Sequence, residues 1–292
     1  MKIAIYGRQI EKHNSVQIAK LFSALNDIDA EISIYAPLLE DINSIVGNLN
    51  PLATFNEETL DRNTNFFISI GGDGTILDAV TIVKNSNIPI LGINTGRLGF
   101  LSNTPTEEVE YAIKCLNEGT YSIDKRTLLQ VDTTNSIFGS LNFGLNELSI
   151  LKRDSSSMIT INTYIDGDYL NSYWADGLIV STATGSTAYS LSCGGPIMMP
   201  GTGNFTLTPI APHNLNVRPI VIADTSILEF QIESRAKQSL LALDSRSRKI
   251  TSDEKITVRK ANFDIALIQL PNQTFISSLR NKLNWGLDRR NK

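Results

Sequence analysis

Two kinds of apolar spacing divide the chain. Up to about residue 120, short apolar runs alternate with segments whose apolar residues recur every three or four positions. KIAIYG (2–7) is such a run, closed by a glycine. Ile18, Leu21, Phe22 and Leu25 then fall at i, i+3, i+4 and i+7, one face of a helix. EISIYA (31–36) reads as a second strand. NFFISI (65–70) is apolar throughout, as expected of a strand covered on both faces. Ile76, Leu77, Val80 and Val83 return to helical spacing, IPILGIN (88–94) to a strand, and Val109, Ala112, Ile113 and Leu116 to a helix. Strand and helix in this alternation predict a parallel sheet with right-handed crossovers.

Beyond Thr120 the period becomes two. Ile159, Ile161 and Thr163 alternate with polar neighbours up to Asp166-Gly167, a hairpin signal. Leu228, Phe230 and Ile232 alternate again, as do Ile256 and Val258, so this half is expected to be mostly antiparallel β. Near the end, Phe275, Ile276, Leu279 and Leu283 suggest one helical face with Thr274 as N-cap. The change of period sets a boundary near residue 122. The expected organisation is an α/β domain over 1–122, a β-rich domain over 123–270, and a helix over 271–292 packing on the first domain.

Composition narrows the classes. Of 292 residues, 41% are hydrophobic and 19% charged, which is enough apolar material for a large core and argues against disorder. The net charge is −4 and no basic run stands out, so nucleic acid is not an expected partner. Arg289, Arg290 and Lys292 read as a solvated end. Two cysteines, Cys115 and Cys193, make neither a disulfide framework nor a metal site, and read as small thiols in a reducing compartment. The opening residues read as a first strand rather than a signal peptide. No apolar stretch approaches the ~20 residues of a membrane span. A soluble cytoplasmic protein without membrane contact is expected.

Against this background, ISIGGDGT (68–75) needs explaining. Asp-Gly between apolar runs is a common hairpin turn, but the spacing from Ile76 to Val83 is helical, so the element is strand, loop, helix. In an open α/β sheet such a loop lies at the carboxyl end of a strand, where ligands bind. Gly71, Gly72 and Gly74 bare the backbone N–H groups, and the helix start adds partial positive charge, so a phosphate is the natural guest. A carboxylate is then out of place for binding alone. Asp73 suits two tasks: holding a divalent cation that bridges phosphates, or accepting a proton from a hydroxyl that attacks phosphorus. A second loop, from Thr182 through Thr184, Gly185, Ser186 and Thr187, is dense in small hydroxyl residues and follows an apolar strand. Two such loops, one in each half, suggest a ligand lying between two domains.

These motifs resemble the NAD kinase family. GGDGT (71–75) is shared with a wider superfamily of lipid kinases and phosphofructokinases. More specific are NTGRLGFL (94–101), LNELSI (145–150), DGLIVSTATGSTAYSLSCGGPI (176–197) and TPIAPHNLNVRPIV (208–221). The resemblance implies an N-terminal Rossmann-like parallel α/β domain, a C-terminal β-sandwich-like domain, and a site in the crevice between them. It implies transfer of the γ-phosphate of ATP, with a divalent cation (Mg expected), to the 2′-hydroxyl of the adenosine ribose of NAD. It also implies a homo-oligomer, a dimer or tetramer. On matching positions, Asp73 becomes the proton acceptor, and Gly71, Gly72, Gly74 and Thr75 the phosphate loop. The dinucleotide contacts become Asp73, Gly74, Asn146, Glu147, Asp176, Thr187, Ala188, Tyr189, Ser190, Leu191, Ser192, Ala211 and Arg246.

Two positions depart from the family pattern. Asp244-Ser245-Arg246 stands where Asp-Gly-Gln is usual, and Trp174 where several relatives carry a basic residue. Arg246 could meet the product's phosphate or be exposed, and NAD against NADH preference stays open. His213 is read as structural or a polar contact. No Gly-Lys-Ser/Thr phosphate loop appears, so ATP against polyphosphate is also open. A lipid kinase and an inactive NADP-sensing module are the rival readings; the dinucleotide motif opposes the first, and the retained Asp73, Asn146 and Glu147 the second.

Overall fold

The computed structural model describes residues 1–47, 53–153, 157–235, 238–271 and 273–284. The expected solvated end at Arg289, Arg290 and Lys292 lies outside them. The chain forms two compact units: Met1–Lys125 with Ile265–Lys292, and Arg126–Asp264.

Along the first unit come β1 (Lys2–Gly7), α1 (Ser15–Asp27), β2 (Glu31–Tyr35), α2 (Leu39–Val46), β3 (Ala53–Phe55), β4 (Phe66–Ile70), α3 (Asp73–Val83), β5 (Ile90–Asn94), the two-residue β6 (Thr104–Pro105) and α4 (Val109–Glu118). The strand order is β3-β2-β1-β4-β5, all parallel, as the alternation predicts. Every residue of β4 and β5 is buried, because helices cover both faces of a parallel sheet. Ile18, Leu21, Phe22 and Leu25 of α1 all face this core. So do Val109, Ala112, Ile113 and Leu116 of α4, which stops at Gly119 in the left-handed conformation (φ 69°).

The chain continues through β7 (Ser122–Thr133), β8 (Phe143–Gly144), β9 (Glu147–Lys152), β10 (Ile159–Ile165), β11 (Asp168–Ala175), β12 (Gly177–Thr182), the one-turn α5 (Tyr189–Ser192), β13 (Asn204–Ile210), β14 (Ile220–Ala223), β15 (Leu228–Glu233), β16 (Ser239–Leu243), β17 (Arg246–Ile250), β18 (Ile256–Gln269) and α6 (Phe275–Leu283). In the second unit β14-β13-β12-β9-β16-β17 form one antiparallel sheet. Strands β11, β10, β15 and the start of β18 pair antiparallel as well. Leu148, Leu178 and Phe205 of the first set pack with Ile161, Phe230 and Val258 of the second around one core. The predicted hairpin is present: Ile165 faces Asp168, and Asp166 and Gly167 both have positive φ, 53° and 87°. That is the backbone a two-residue turn needs to follow the strand twist.

The end of β18 returns to the first unit, where Leu267 pairs in parallel with Ile90. Thr274 caps α6 by accepting from Ser277 N–H at 3.1 Å. One expectation for this helix needs correction. Ile276 is 47% exposed, and the inward face carries Ser278 and Leu279. The four apolar residues do not share one buried face: Leu279 is buried and the ring of Phe275 packs near that of Phe100, while Ile276 turns outward. No helix of the described residues is long and apolar enough to cross a membrane.

Candidate functional site

Two residues, Gly71 and Gly72, connect β4 to α3, so Asp73 is the first residue of the helix. Gly71 has φ 148°, a region that favours glycine, and a Cβ there would lie 2.2 Å from Thr75 Oγ1. The Gly72 carbonyl accepts from Thr75 N–H at 3.0 Å. Nothing lies within 4 Å of where a Cβ on Gly72 would be, so the outer face of the turn is bare. The Arg8 Nε bonds Asp78 Oδ2 at 2.5 Å, and its Nη2 lies 3.4 Å from the Gly74 carbonyl, over the first turn of α3.

The Asp73 carboxylate is held by the segment that follows β5. Within Asn94–Ser102, the Asn94 side-chain amide donates to the Ser102 carbonyl at 3.0 Å and accepts from Gly96 N–H at 2.8 Å. Gly99 N–H also donates to the Ser102 carbonyl, at 3.0 Å. The loop thus formed turns three consecutive N–H groups onto Asp73. Phe100 donates to Oδ2 at 2.8 Å; Leu101 and Ser102 donate to Oδ1 at 3.1 and 2.9 Å. The Ser102 hydroxyl donates to the Gly71 carbonyl at 2.9 Å, tying the same loop to the glycine turn. A carboxylate offers about four acceptor positions. Two on Oδ1 and one on Oδ2 are used, which leaves one on Oδ2.

Lys282 of α6 brings its ammonium to 4.0 Å from Asp73 Oδ2 and 5.0 Å from the centre of the Phe100 ring. Sequence reasoning missed both the clasp and this lysine. The motif NTGRLGFL carried no side chain that suggested a partner. The available signal for Lys282 was its place seven residues after Phe275, on the same helical face.

In the second unit a different carboxylate does a similar job. Asp244, half-buried, accepts from the N–H groups of Leu145 at 2.8 Å, Asn146 at 2.9 Å and Glu147 at 3.1 Å. Burial pushes its carboxyl upward, while these three N–H groups and Arg246 pull it back down. The site expected at Asn146 and Glu147 is therefore an immobilised strand start. The Thr182 hydroxyl and N–H donate to the Leu145 and Asn146 carbonyls at 2.6 and 2.9 Å, fixing it from β12.

Glu147 lies beside Tyr189. Burial, then the charge of Asp244, pushes its carboxyl up to about 8, against the pull of the Tyr189 N–H. Its Oε2 is out of contact with water and has no hydrogen-bond partner in the protein. A neutral carboxyl there can both donate and accept. Tyr189 is 40% exposed, its hydroxyl pushed up by burial first and then by Cys193, Glu147 and Asp176. Glu147, Asp176 and Tyr189 are thus neighbours.

The remaining predicted residues divide by what they touch. Asp176 forms an ion pair with Lys152 at 2.6 Å. Thr187, Ala188 and Leu191 are half-buried, and Ser192 is exposed. Ser190 is buried, its hydroxyl 2.8 Å from that of Thr208, so it packs the loop from within. Ala211 is exposed and has φ 44°, a strained conformation for alanine. The Arg246 guanidinium donates to the carbonyls of Leu141 and Phe143 and lies over the Phe143 ring. It ties β17 to the segment before β9. The Trp174 and His213 rings stack with centroids 4.2 Å apart. Arg126, buried, donates to the Thr184 hydroxyl at 3.3 Å, behind the hydroxyl-rich loop; the sequence had not singled it out.

Comparison with known proteins identifies the family. Models of the ATP-NAD kinase N-terminal and C-terminal domains match residues 40–121 and 145–270. A NAD kinase from Cytophaga hutchinsonii is 46% identical over the whole of both chains, and one from Flavobacterium psychrophilum 45%. Among solved structures, a NAD kinase from Archaeoglobus fulgidus in complex with ATP is 27% identical with a TM-score of 0.75, covering 97% of this chain and 99% of that one. Yeast NADH kinase complexed with NADH is similar in fold, with a TM-score of 0.86 at 21% identity over 99% of this chain and 88% of that one.

Proposed function

The chain belongs to the ATP-NAD kinase family, and from that premise we propose how it phosphorylates NAD to NADP with ATP as donor. Asp73 Oδ2 accepts the proton of the 2′-hydroxyl of the adenosine ribose as that oxygen bonds to the γ-phosphorus. The observation that carries this is the clasp. Three N–H bonds fix the carboxylate and leave one acceptor position, on Oδ2. The bare turn at Gly71, Gly72, Gly74 and Thr75 receives phosphate oxygens. Asn146 and Glu147 bond the dinucleotide, with Asp176, Thr187, Ala188, Tyr189, Ser192 and Ala211 completing its contacts. Ser190 and Leu191 support the loop that carries them.

The residues fit a divalent cation only as one carried by the triphosphate. Among the described residues no cluster of three or more His, Cys, Asp or Glu side chains could hold an ion. Magnesium bound to a nucleotide needs only one or two protein carboxylates. Bound in that way, the ion neutralises phosphate charge. Asp73, with a single position left on Oδ2, is assigned to the proton.

The proposal extends to a cytoplasmic location, supported by two free cysteines, and to a homo-oligomer, a dimer or tetramer, which rests on the motif resemblance alone. The test of the chemistry is Asp73→Asn, assayed by coupling product to an NADP-specific dehydrogenase. Removal of a general base costs about 10²–10⁴-fold in turnover, while NADP binding should persist. A variant that turns over like the wild type rules out the assigned role.

A further inference from the structure

Resting on that reading, we infer that Lys282, near the end of α6, is a catalytic residue: its ammonium meets the phosphoryl group in flight to the ribose oxygen. The chain has no Gly-Lys-Ser/Thr loop, whose lysine reaches the β- and γ-phosphates in other nucleotide-binding enzymes. Phosphoryl transfer spreads negative charge over three oxygens of the moving group. Here it does so beside the Asp73 carboxylate, which repels it. A cation close to that carboxylate is therefore required, and Lys282 is within ion-pair range.

The geometry is specific to one oxygen. Lys282 Nζ lies 4.0 Å from Oδ2, the atom with the open acceptor position. A hydroxyl bonded there would sit about 2.7 Å from Oδ2, so the phosphorus it attacks arrives in the neighbourhood of the ammonium. The lysine is aimed from two sides. Its ammonium rests over Phe100, whose N–H is one arm of the clasp, and Phe275 of the same helix packs against that ring with centroids 6.1 Å apart. Phe275, Leu279 and Lys282 fall at i, i+4 and i+7, on one face of α6.

Anchoring α6 does not explain the lysine. The helix is already held by buried Ser278 and Leu279, by the two phenylalanine rings, and by the Thr274 cap. An ion pair at 4.0 Å from a lysine side chain that is 37% exposed adds little to that. In the transfer step the hydroxyl proton passes to Asp73 Oδ2 and the ribose oxygen bonds to phosphorus. The bond from phosphorus to the leaving nucleoside diphosphate breaks, its electron pair staying on the leaving oxygen. Lys282 keeps its proton throughout and acts by charge alone.

The test compares Lys282→Met, which keeps the apolar stem, with Lys282→Arg, which keeps the charge. The methionine variant should lose roughly 10²-fold in kcat, with KM for NAD and Tm close to wild type. The arginine variant should recover much of the loss. Wild-type kcat in Lys282→Met would overturn the assignment. So would a loss shared by both variants together with lowered Tm and a raised KM for NAD, the signature of a tether. Wild-type protein that makes no NADP removes the underlying reading itself, and that outcome differs from a defect confined to the variants.

Discussion

Gly99 lies so close to Asp73 that a Cβ on it would come within 1.7 Å of the carboxylate oxygen Oδ1. The two residues are 26 positions apart, and the contact exists because the loop after β5 folds onto the first turn of α3. A hydrogen at position 99 is part of what lets three N–H groups reach one side chain.

Gly99→Ala should therefore act on the proposed proton acceptor without removing it. The added methyl displaces the carboxyl group from its clasp, and misplacement by about 1 Å can cost about 10²-fold in rate. NADP affinity should change little. The decisive measurement is a double-mutant cycle with Asp73→Asn. Once the carboxylate is gone, the methyl has nothing left to displace, so the second substitution should add no further loss of kcat. Fully additive losses would show that Gly99 acts elsewhere.

Asp244→Ala should be felt first as instability. It strips the acceptor from the N–H groups of Leu145, Asn146 and Glu147 in a partly buried place. Leaving buried donors unsatisfied costs about 1–3 kcal/mol each before relaxation, so a net loss of about 3 kcal/mol in urea denaturation is expected. Asp244→Asn keeps one acceptor oxygen and should lose less. Equal stability of wild type and the alanine variant would mean that water replaces the carboxylate.

Glu147 predicts a pH dependence of stability with a definite sign. Its carboxyl is pushed up to about 8 in the folded protein, against about 4.3 in an unfolded chain. Between those values the unfolded chain has released the proton and the folded one has not. Stability should fall as pH rises through that window, by at most about 1.4 kcal/mol per pH unit, and level off above it. Glu147→Gln removes the titration, so its stability should be flatter from pH 5 to 8. Parallel curves for the two proteins would refute the shift. The same substitution keeps a group that donates and accepts, so dinucleotide binding near neutral pH should survive better than in Glu147→Ala.

Periodicity was legible because it is local. The helical faces of α1 and α4 and the alternation in β10 and β15 each depend on residues within one element, and each is buried as the spacing implies. The Asp166-Gly167 turn was equally plain, since two adjacent residues must adopt positive φ and these types do so readily. The α6 face was misjudged at Ile276 for the complementary reason. Spacing says which residues share a face, but the neighbouring Phe100 determines which face turns inward.

The chemistry divides in the same way. Asp73 and its glycines announced a phosphate loop, because a bare turn between strand and helix suffices to suggest one. The bonds that make Asp73 usable come from Phe100, Leu101 and Ser102, through backbone groups that every residue possesses and no composition reveals. Arg246, a candidate for the product's phosphate on paper, spends its guanidinium on the Leu141 and Phe143 carbonyls. Lys282 resembles any solvated helix lysine until its helix is docked. Residue types state which reactions are available, whereas distances between groups remote along the chain decide which atom performs them, because hydrogen bonds and charges act over a few ångströms of space.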